Sequence, residues 1–579
     1  MTLNQRIQAA RGQEAVDLLL TGGRVINVYS GEIVSTSIGI SGGYIAGLGD
    51  YPAGRTIDLG GRFVAPGFID AHVHIESAMT RVTEFVRAVL PRGTTAVVAD
   101  PHEIANVLGK EGIDYMLRSA GHQPMNLYFG LPSCVPVTHM ETSGAVLDAE
   151  ALEPFMAHER IVALGEMMNF PGVIYEDAGV LRKIRMARAV GKPVDGHAPG
   201  LTGRDLNAYI AAGITSDHEC ATATEAMEKL AAGMHIMIRE GTGAKNLKDL
   251  LPVVNQRTWR RMMWCTDDRH PHDLLQLGHI DSMVREAICS GLDPVIAIRM
   301  ATLNPAEYFG LRDIGAIAPG KRADMVVFSD LNDLKIGQVY CGGVLVAENG
   351  VMRPEIGKPA SAAVSSAMNL RPDQLDFSIP AEGRQVRVID IIAGQLITDE
   401  RIMEAAISNG LAVSDPDRDM LKIAVVERYT GRAGTGRAFV RGFGLKHGAL
   451  ASSVAHDSHN IIVVGVDDES MKAAASRVIQ MGGGLVAARG SRIAASLALP
   501  IAGLMSDEPV LSVEARLNRL IQVARAFGSV LADPFMALSF LALPVIPRLK
   551  ITDRGLINVD RFEPVSLFVS MALSPADTA

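Results

Sequence analysis

Three features of the sequence predict an α/β protein: a TIM-like (β/α)8 barrel inserted in a small β-sandwich domain, with a further α/β domain at the C-terminal end. Short strands broken by glycine turns fill residues 17–50 and return at 313–349. Between them, apolar strands alternate with longer amphipathic segments, and from about residue 365 a third texture begins. The expected division is 1–65 with 310–362 for the β domain, 66–309 for the barrel and 363–579 for the last domain. At about 150 residues per domain, 579 residues allow roughly four units or fewer.

The first stretch, DLLLTGGRVINVYSGEIVSTSIGISGGYIAGLGD, reads as strands separated by GG, SG and GD turns. The same pattern in DIGAIAPGKRADMVVFSDLNDLKIGQVYCGGVLVAENG suggests one β domain built from both flanks of an insertion. Inside the insertion, eight strand candidates follow in order: FVAPGFIDAHVH, TTAVVAD, NLYFGLP, IVALGEM, PVDGH, ITSDHE, MHIMIRE and RMMWCTD. Segments such as EDAGVLRKIRMARAV (176–190) supply the helices between them. Eight βα units in roughly 250 residues is the size of a TIM barrel, although a doubly wound open sheet meets the same strand count. The last region has its own strands, KIAVVERY and NIIVVGV, and a Gly-rich turn, MGGGLVAARG. That turn is not a GxGxxG dinucleotide fingerprint, and the PGK of GAIAPGKRADMVVF lacks the GxxxxGK[ST] of a phosphate loop and reads as a hairpin turn.

Composition narrows the functional classes. Hydrophobic residues make up 48% and charged ones 21%, enough for a sizeable core and too apolar for wholesale disorder. Lys and Arg number 55 against 64 Asp and Glu, and a net charge of −9 argues against nucleic acid or an anionic membrane as the partner. Cys134, Cys220, Cys265, Cys289 and Cys341 show no CxxC spacing, as expected of a reducing cytoplasm. No run of eighteen apolar residues and no N-terminal apolar leader occurs, so a soluble cytoplasmic protein is expected.

The chemistry sits at strand ends. His72 and His74 in IDAHVHIES are two residues apart on a strand, share a face, and can address one cation. Alone this is weak, since 15 histidines give an HxH by chance about 0.4 times. Glu166 closes IVALGEM, His197 closes PVDGH, His218 closes ITSDH and Asp267 follows RMMWCT. Each falls at a strand's C-terminal end, where barrel enzymes build their sites, so the six are expected to hold one or two divalent cations. Nitrogen and oxygen donors without thiolate suit Mn²⁺, Fe²⁺ or Zn²⁺. Metal coordination lowers the pKa of water enough to supply hydroxide at neutral pH. Asp267 is placed to orient that hydroxide and take its proton, and Glu166 to bridge the metals and shuttle a proton.

Asp100, His102 and Glu103 in VVADPHEIANV follow the second strand. They can be a helix start, with Asp100 and Glu103 forming a capping box, or groups near the metals that bind substrate or support the ligands. His456, Asp457 and His459 in HDSHN are either a polar loop before NIIVVGV or residues that close the pocket.

APGFIDAHVHIES, the strand-end Glu, His, His and Asp, and the return through GAIAPGKRADMVVF together resemble the amidohydrolase superfamily. Within it, DPHEIANVLG, LGEMMNFPGV, DGHAPGLTG, SDHECAT, CTDDRHP and VAHDSHNI are similar to the bacterial adenine deaminases, over almost the whole chain. The resemblance implies hydrolytic deamination of adenine, a small-molecule substrate, with Mn²⁺ or Fe²⁺ favoured over Zn²⁺, in a homo-oligomer, dimer or tetramer. A deacetylase of an N-acetylated amino-sugar phosphate is the alternative. It would call for a basic cluster, and Arg204 and Arg269, the nearest basic residues in the relevant loops, are two scattered arginines that do not make one.

Overall fold

The computed structural model describes residues 1–353, 364–392 and 395–569; the boundary expected at 362/363 lies outside them. One sheet of nine strands draws on both flanks. Its middle strand, Phe63–Pro66, pairs antiparallel with Met325–Phe328 and parallel with Leu18–Ile26. Leu20, Ile38, Ile45, Val64, Met325 and Tyr340 share one apolar cluster although they come from well-separated strands of that sheet. The sheet therefore curls over its own apolar face and buries it as a sandwich would.

Directly after Phe63–Pro66 the chain enters the barrel. Its strands are β1 (Phe68–His74), β2 (Thr94–Ala99), β3 (Asn126–Leu131), β4 (Ile161–Met167), β5 (Val194–Gly196), β6 (Ser216–Asp217), β7 (His235–Arg239) and β8 (Met262–Cys265). β1 to β5 are parallel neighbours in order, as are β6 to β8. A parallel bridge from Val194 to Ile214 joins the two runs. Closure comes from Asp267–Asp268, just beyond β8, which pairs with Val73 and His74 of β1. The strands form a closed ring, which sets aside the open doubly wound sheet. Helices connect them, several started by side-chain caps: Asp177 accepts from Val180 N and Thr222 from Glu225 N. Ile69, Ala71, Val98, Ala163, Met237 and Met263 pack together from five strands and fill part of the core.

The last region is an eight-stranded sheet between two helices. Strand Ile461–Gly465 is buried along its whole length, which explains its uninterrupted apolar run. Ile461 and Val463 pack toward helix Asp468–Gln480, whereas Ile462 and Val464 pack toward helix Val510–Ala526. The loop before this strand, 453–460, and the segment after helix Pro534–Phe540 reach the barrel mouth.

Candidate metal centre

Glu166, the next-to-last residue of β4, stands between two pairs of imidazoles. Its Oε1 lies 3.1 Å from His74 Nε2 and 3.6 Å from His72 Nε2; its Oε2 lies 2.6 Å from His197 Nδ1 and 3.3 Å from His218 Nε2. Asp267 Oδ1 completes the first pair, 3.0 Å from His74 Nε2 and 3.7 Å from His72 Nε2. The two Nε2 atoms of His72 and His74 face each other at 3.1 Å, and the His72 ring stacks on that of His218 at 4.2 Å. All six sequence-derived candidates thus meet in one place, each nearly buried.

This donor set fits a divalent cation. His74 Nδ1 lies 2.9 Å from the carbonyl oxygen of Asp100, which only accepts, so the proton sits on Nδ1 and Nε2 offers a lone pair inward. The Nε2 atoms of His197 and His218 are buried with no hydrogen-bond partner among the described residues. Orphaned buried nitrogens are costly unless an ion satisfies them. Groups of three such ligand atoms occur on both sides of Glu166: His72, His74 and Glu166, and Glu166, His197 and His218.

The charges agree. Burial opposes ionisation of Glu166, but His197 and His218 outweigh it and hold the carboxyl well below its usual range. Burial likewise opposes Asp267, and Arg239, His72 and His74 keep it ionised. In the protein without metal, burial works against protonation of His218, yet Glu166 and Asp267 lift it to about 9. Protons on imidazole stand in for cations.

The remaining sequence-derived residues separate into two roles. Asp100 forms no capping box: helix His102–Leu108 starts at Pro101 without a side-chain cap. The Asp100 carboxylate instead accepts the backbone N–H of Glu166 at 2.9 Å. Gly165 permits this, because a Cβ there would collide with that carboxylate. His102 faces the centre with Nδ1 3.5 Å from Glu166 Oε1, and its Nε2 lies 3.6 Å from Asp457 Oδ2. Glu103 lines the same cavity and meets His456 and His459 of the C-terminal domain. Burial pushes Asp457 up to about 7 against the pull of His102.

Several residues of the site were not expected. Arg239, at the end of β7, reaches Asp267 Oδ2 at 2.5 Å and Glu219 Oε2 at 3.0 Å. Glu219 in turn lies 3.5 Å from His218 Nε2 and 3.7 Å from His197 Nδ1. The strand-end argument that selected the histidines applies equally to Arg239, so it was within reach of sequence. Behind the centre, Asp70 accepts the amides of His72 at 3.2 Å and Thr266 at 3.1 Å and pairs with buried His279. Above the centre, Leu396, Phe540, Leu543 and Ile546 of the C-terminal domain roof the cavity. No spacing rule marks those four.

Residues 63–346 match the amidohydrolase family, and residues 395–563 match the adenine deaminase C-terminal domain. An adenine deaminase from Desulfatibacillum aliphaticivorans is 55% identical over 565 residues, 98% of this chain and 99% of its own. One from Methanothrix thermoacetophila is 50% identical over 571 residues, 98% of this chain and all of its own length. Adenine deaminase 2 of Carboxydothermus hydrogenoformans is 48% identical over 571 residues, 97% of this chain and 99% of its own.

Proposed function

The chain belongs to the adenine deaminase family of amidohydrolases, and on that premise we propose that it hydrolyses free adenine to hypoxanthine and ammonia. Water adds at C6, the bond to the exocyclic nitrogen breaks, and protons pass from the water to the purine and the departing amine. The observation that carries this reading is Glu166 held between two histidine pairs at the mouth of the barrel. His72, His74, Glu166, His197, His218 and Asp267 are the proposed ligands, and the two-sided use of Glu166 supports two cations over one. A bound divalent ion supplies the Lewis acidity that makes water a nucleophile at neutral pH. Mn²⁺ or Fe²⁺ is the proposed ion, with Zn²⁺ compatible with the same donors.

Asp267, kept ionised by Arg239, orients the water and accepts its proton. Glu166 carries a proton to the ring nitrogen beside C6 in this proposal. Asp100 fixes the backbone of Glu166, and the apolar roof excludes bulk water. The deacetylase alternative finds no support. Among the described residues Arg239 is the sole Arg or Lys lining the cavity, and it is occupied by Glu219 and Asp267, so no basic cluster awaits a phosphate. Arg269 borders a different cavity.

The test is loss of adenine absorbance together with ammonia release by protein loaded with Mn²⁺ or Fe²⁺, before and after chelation. Adenosine and AMP are expected to be poor substrates. Deacetylation of an N-acetylated amino-sugar phosphate without adenine turnover would replace the reading. No helix among the described residues is long and apolar enough to cross a membrane. A cytoplasmic setting is proposed on the five unpaired cysteines. A homo-oligomer, dimer or tetramer, is part of the proposal, and light scattering measures it.

A further inference from the structure

The loop 453–460 of the C-terminal domain brings two imidazoles to one barrel carboxylate. His456 Nδ1 lies 2.6 Å from Glu103 Oε1, and His459 Nε2 meets Glu103 Oε2. The three side chains are 4%, 1% and 2% exposed, respectively for His456, His459 and Glu103. Two histidines around a carboxylate also make a pattern that can hold a cation. The proton inventory decides against that here. An imidazole that coordinates through Nε2 keeps its proton on Nδ1 and donates it outward. His459 Nδ1 instead accepts the backbone N–H of Ala455 at 3.2 Å. The ring proton therefore sits on Nε2 and is donated to Glu103.

His456 follows by the same accounting. An ionised carboxylate only accepts, so His456 Nδ1 carries a proton as well. Its ring stacks on Phe540, centroids 4.4 Å apart and 23° from parallel, which fixes the plane. Nε2 is the polar atom left over; among the described residues it has no hydrogen-bond partner, and the ring borders the cavity above Glu166 and Asp267. Burial opposes a charged ring, but the Glu103 carboxylate 2.6 Å from Nδ1 works the other way, with Asp268 behind it, and this pairing favours the doubly protonated ring that donates from Nε2. Its carboxylate neighbours within 4 Å are Glu103 and Asp457, neither of them among the six proposed ligands. The reacting C6–N1 edge must lie against those ligands, so His456 addresses another part of the base.

We propose that His456, held by Glu103, His459 and Phe540, reads the purine by donating from Nε2 to a ring nitrogen off the C6–N1 edge, N3 or N7. The C-terminal domain then supplies base recognition to a barrel that supplies the chemistry. This rests on the adenine deaminase reading of the same site.

The experiment compares kcat/KM of the full-length, metal-loaded protein on adenine, 3-deazaadenine and 7-deazaadenine. Removing the acceptor from a charged hydrogen bond is expected to cost the wild type about 10- to 100-fold on one analogue and little on the other. His456→Phe is expected to erase that preference by losing adenine turnover down to the level of the disfavoured analogue. His456→Gln, which retains an N–H donor, recovers part of it. His459→Asn weakens the same preference, chiefly through KM, with metal content unchanged. Equal wild-type activity on all three bases overturns the proposal without any variant. So does a parallel fall on all three bases in His456→Phe, or the loss of a whole metal equivalent in His459→Asn. Absence of adenine turnover in the wild type, with the N-acetylated sugar phosphate hydrolysed, instead overturns the function on which the proposal stands.

Discussion

Asp267 adopts a left-handed backbone, φ 56°, at the point where the chain leaves β8 and turns onto β1. Asparagine tolerates that conformation better than most residues, so Asp267→Asn removes the charge with little backbone strain. If Asp267 accepts the water's proton, kcat falls by roughly 10²- to 10⁴-fold, far more than metal content does. Metal analysis and turnover on one preparation check this, and near-normal kcat removes Asp267 from the mechanism. Lys550 poses a different problem. It is fully buried, its Nζ donates to the carbonyl of Leu396 at 2.8 Å, and burial pushes it down to about 7. Unfolded lysine titrates near about 10.4. Between these values the unfolded chain holds a proton that the folded chain has released, so this residue makes stability rise with pH from about 7 to 10. Below that window both states are charged and the burial cost is complete. Lys550→Met should stabilise the protein at pH 6.5 by up to a few kcal/mol, less about 1 kcal/mol for the lost hydrogen bond. The gain should shrink toward pH 10. Denaturant unfolding across this range measures it, and parallel pH profiles for the two proteins would show that Lys550 does not titrate there.

At the level of single elements, local signals and packing agree in some segments and part company in others. Helix Val510–Ala526 buries Val513, Leu517, Leu520 and Val523 at helical spacing, and these residues press against the sheet through Ile462, Val464 and Leu485. Leu520 is fully buried, so Leu520→Ala should cost about 2–5 kcal/mol through lost burial and a cavity. A change under about 1 kcal/mol in chemical denaturation would mean that the helix repacks freely around the gap. Helix His102–Leu108 shows the opposite relation. Its sequence offers a capping box, yet both carboxylates are used elsewhere, by the Glu166 amide and by two distant histidines. A local capping bond contributes about 1 kcal/mol, which tertiary demands at a site readily exceed.

The whole molecule divides its work between a barrel that gathers the six proposed ligands and a C-terminal region that covers them. The proposed division remains 1–65 with 310–362, 66–309 and 363–579. Strand Phe63–Pro66 is held on one side by Leu18–Ile26 and on the other by Met325–Phe328. A protease nick near residue 65 should therefore leave residues 1–65 bound to the rest during gel filtration under native conditions. Release of an independently folded 1–65 fragment would refute a β domain shared by both flanks.

Period and position were enough to read the eight barrel strands, because a parallel strand buried on both faces writes itself as an apolar run. The same reading reached His72, His74, Glu166, His197, His218 and Asp267, because barrel topology sends every strand's C-terminal end to one face. Arg239 obeys that rule and was missed only because a strand-end arginine is no usual metal ligand. Glu103 precedes His456 and His459 by more than 350 residues, 356 in the case of His459, and no local pattern encodes their meeting. Phe540, Leu543 and Ile546 look like any apolar helix end until the C-terminal domain is set over the barrel mouth. Pairing across domains depends on how two finished cores dock, and docking is decided by surface shape and charge that a linear reading does not contain.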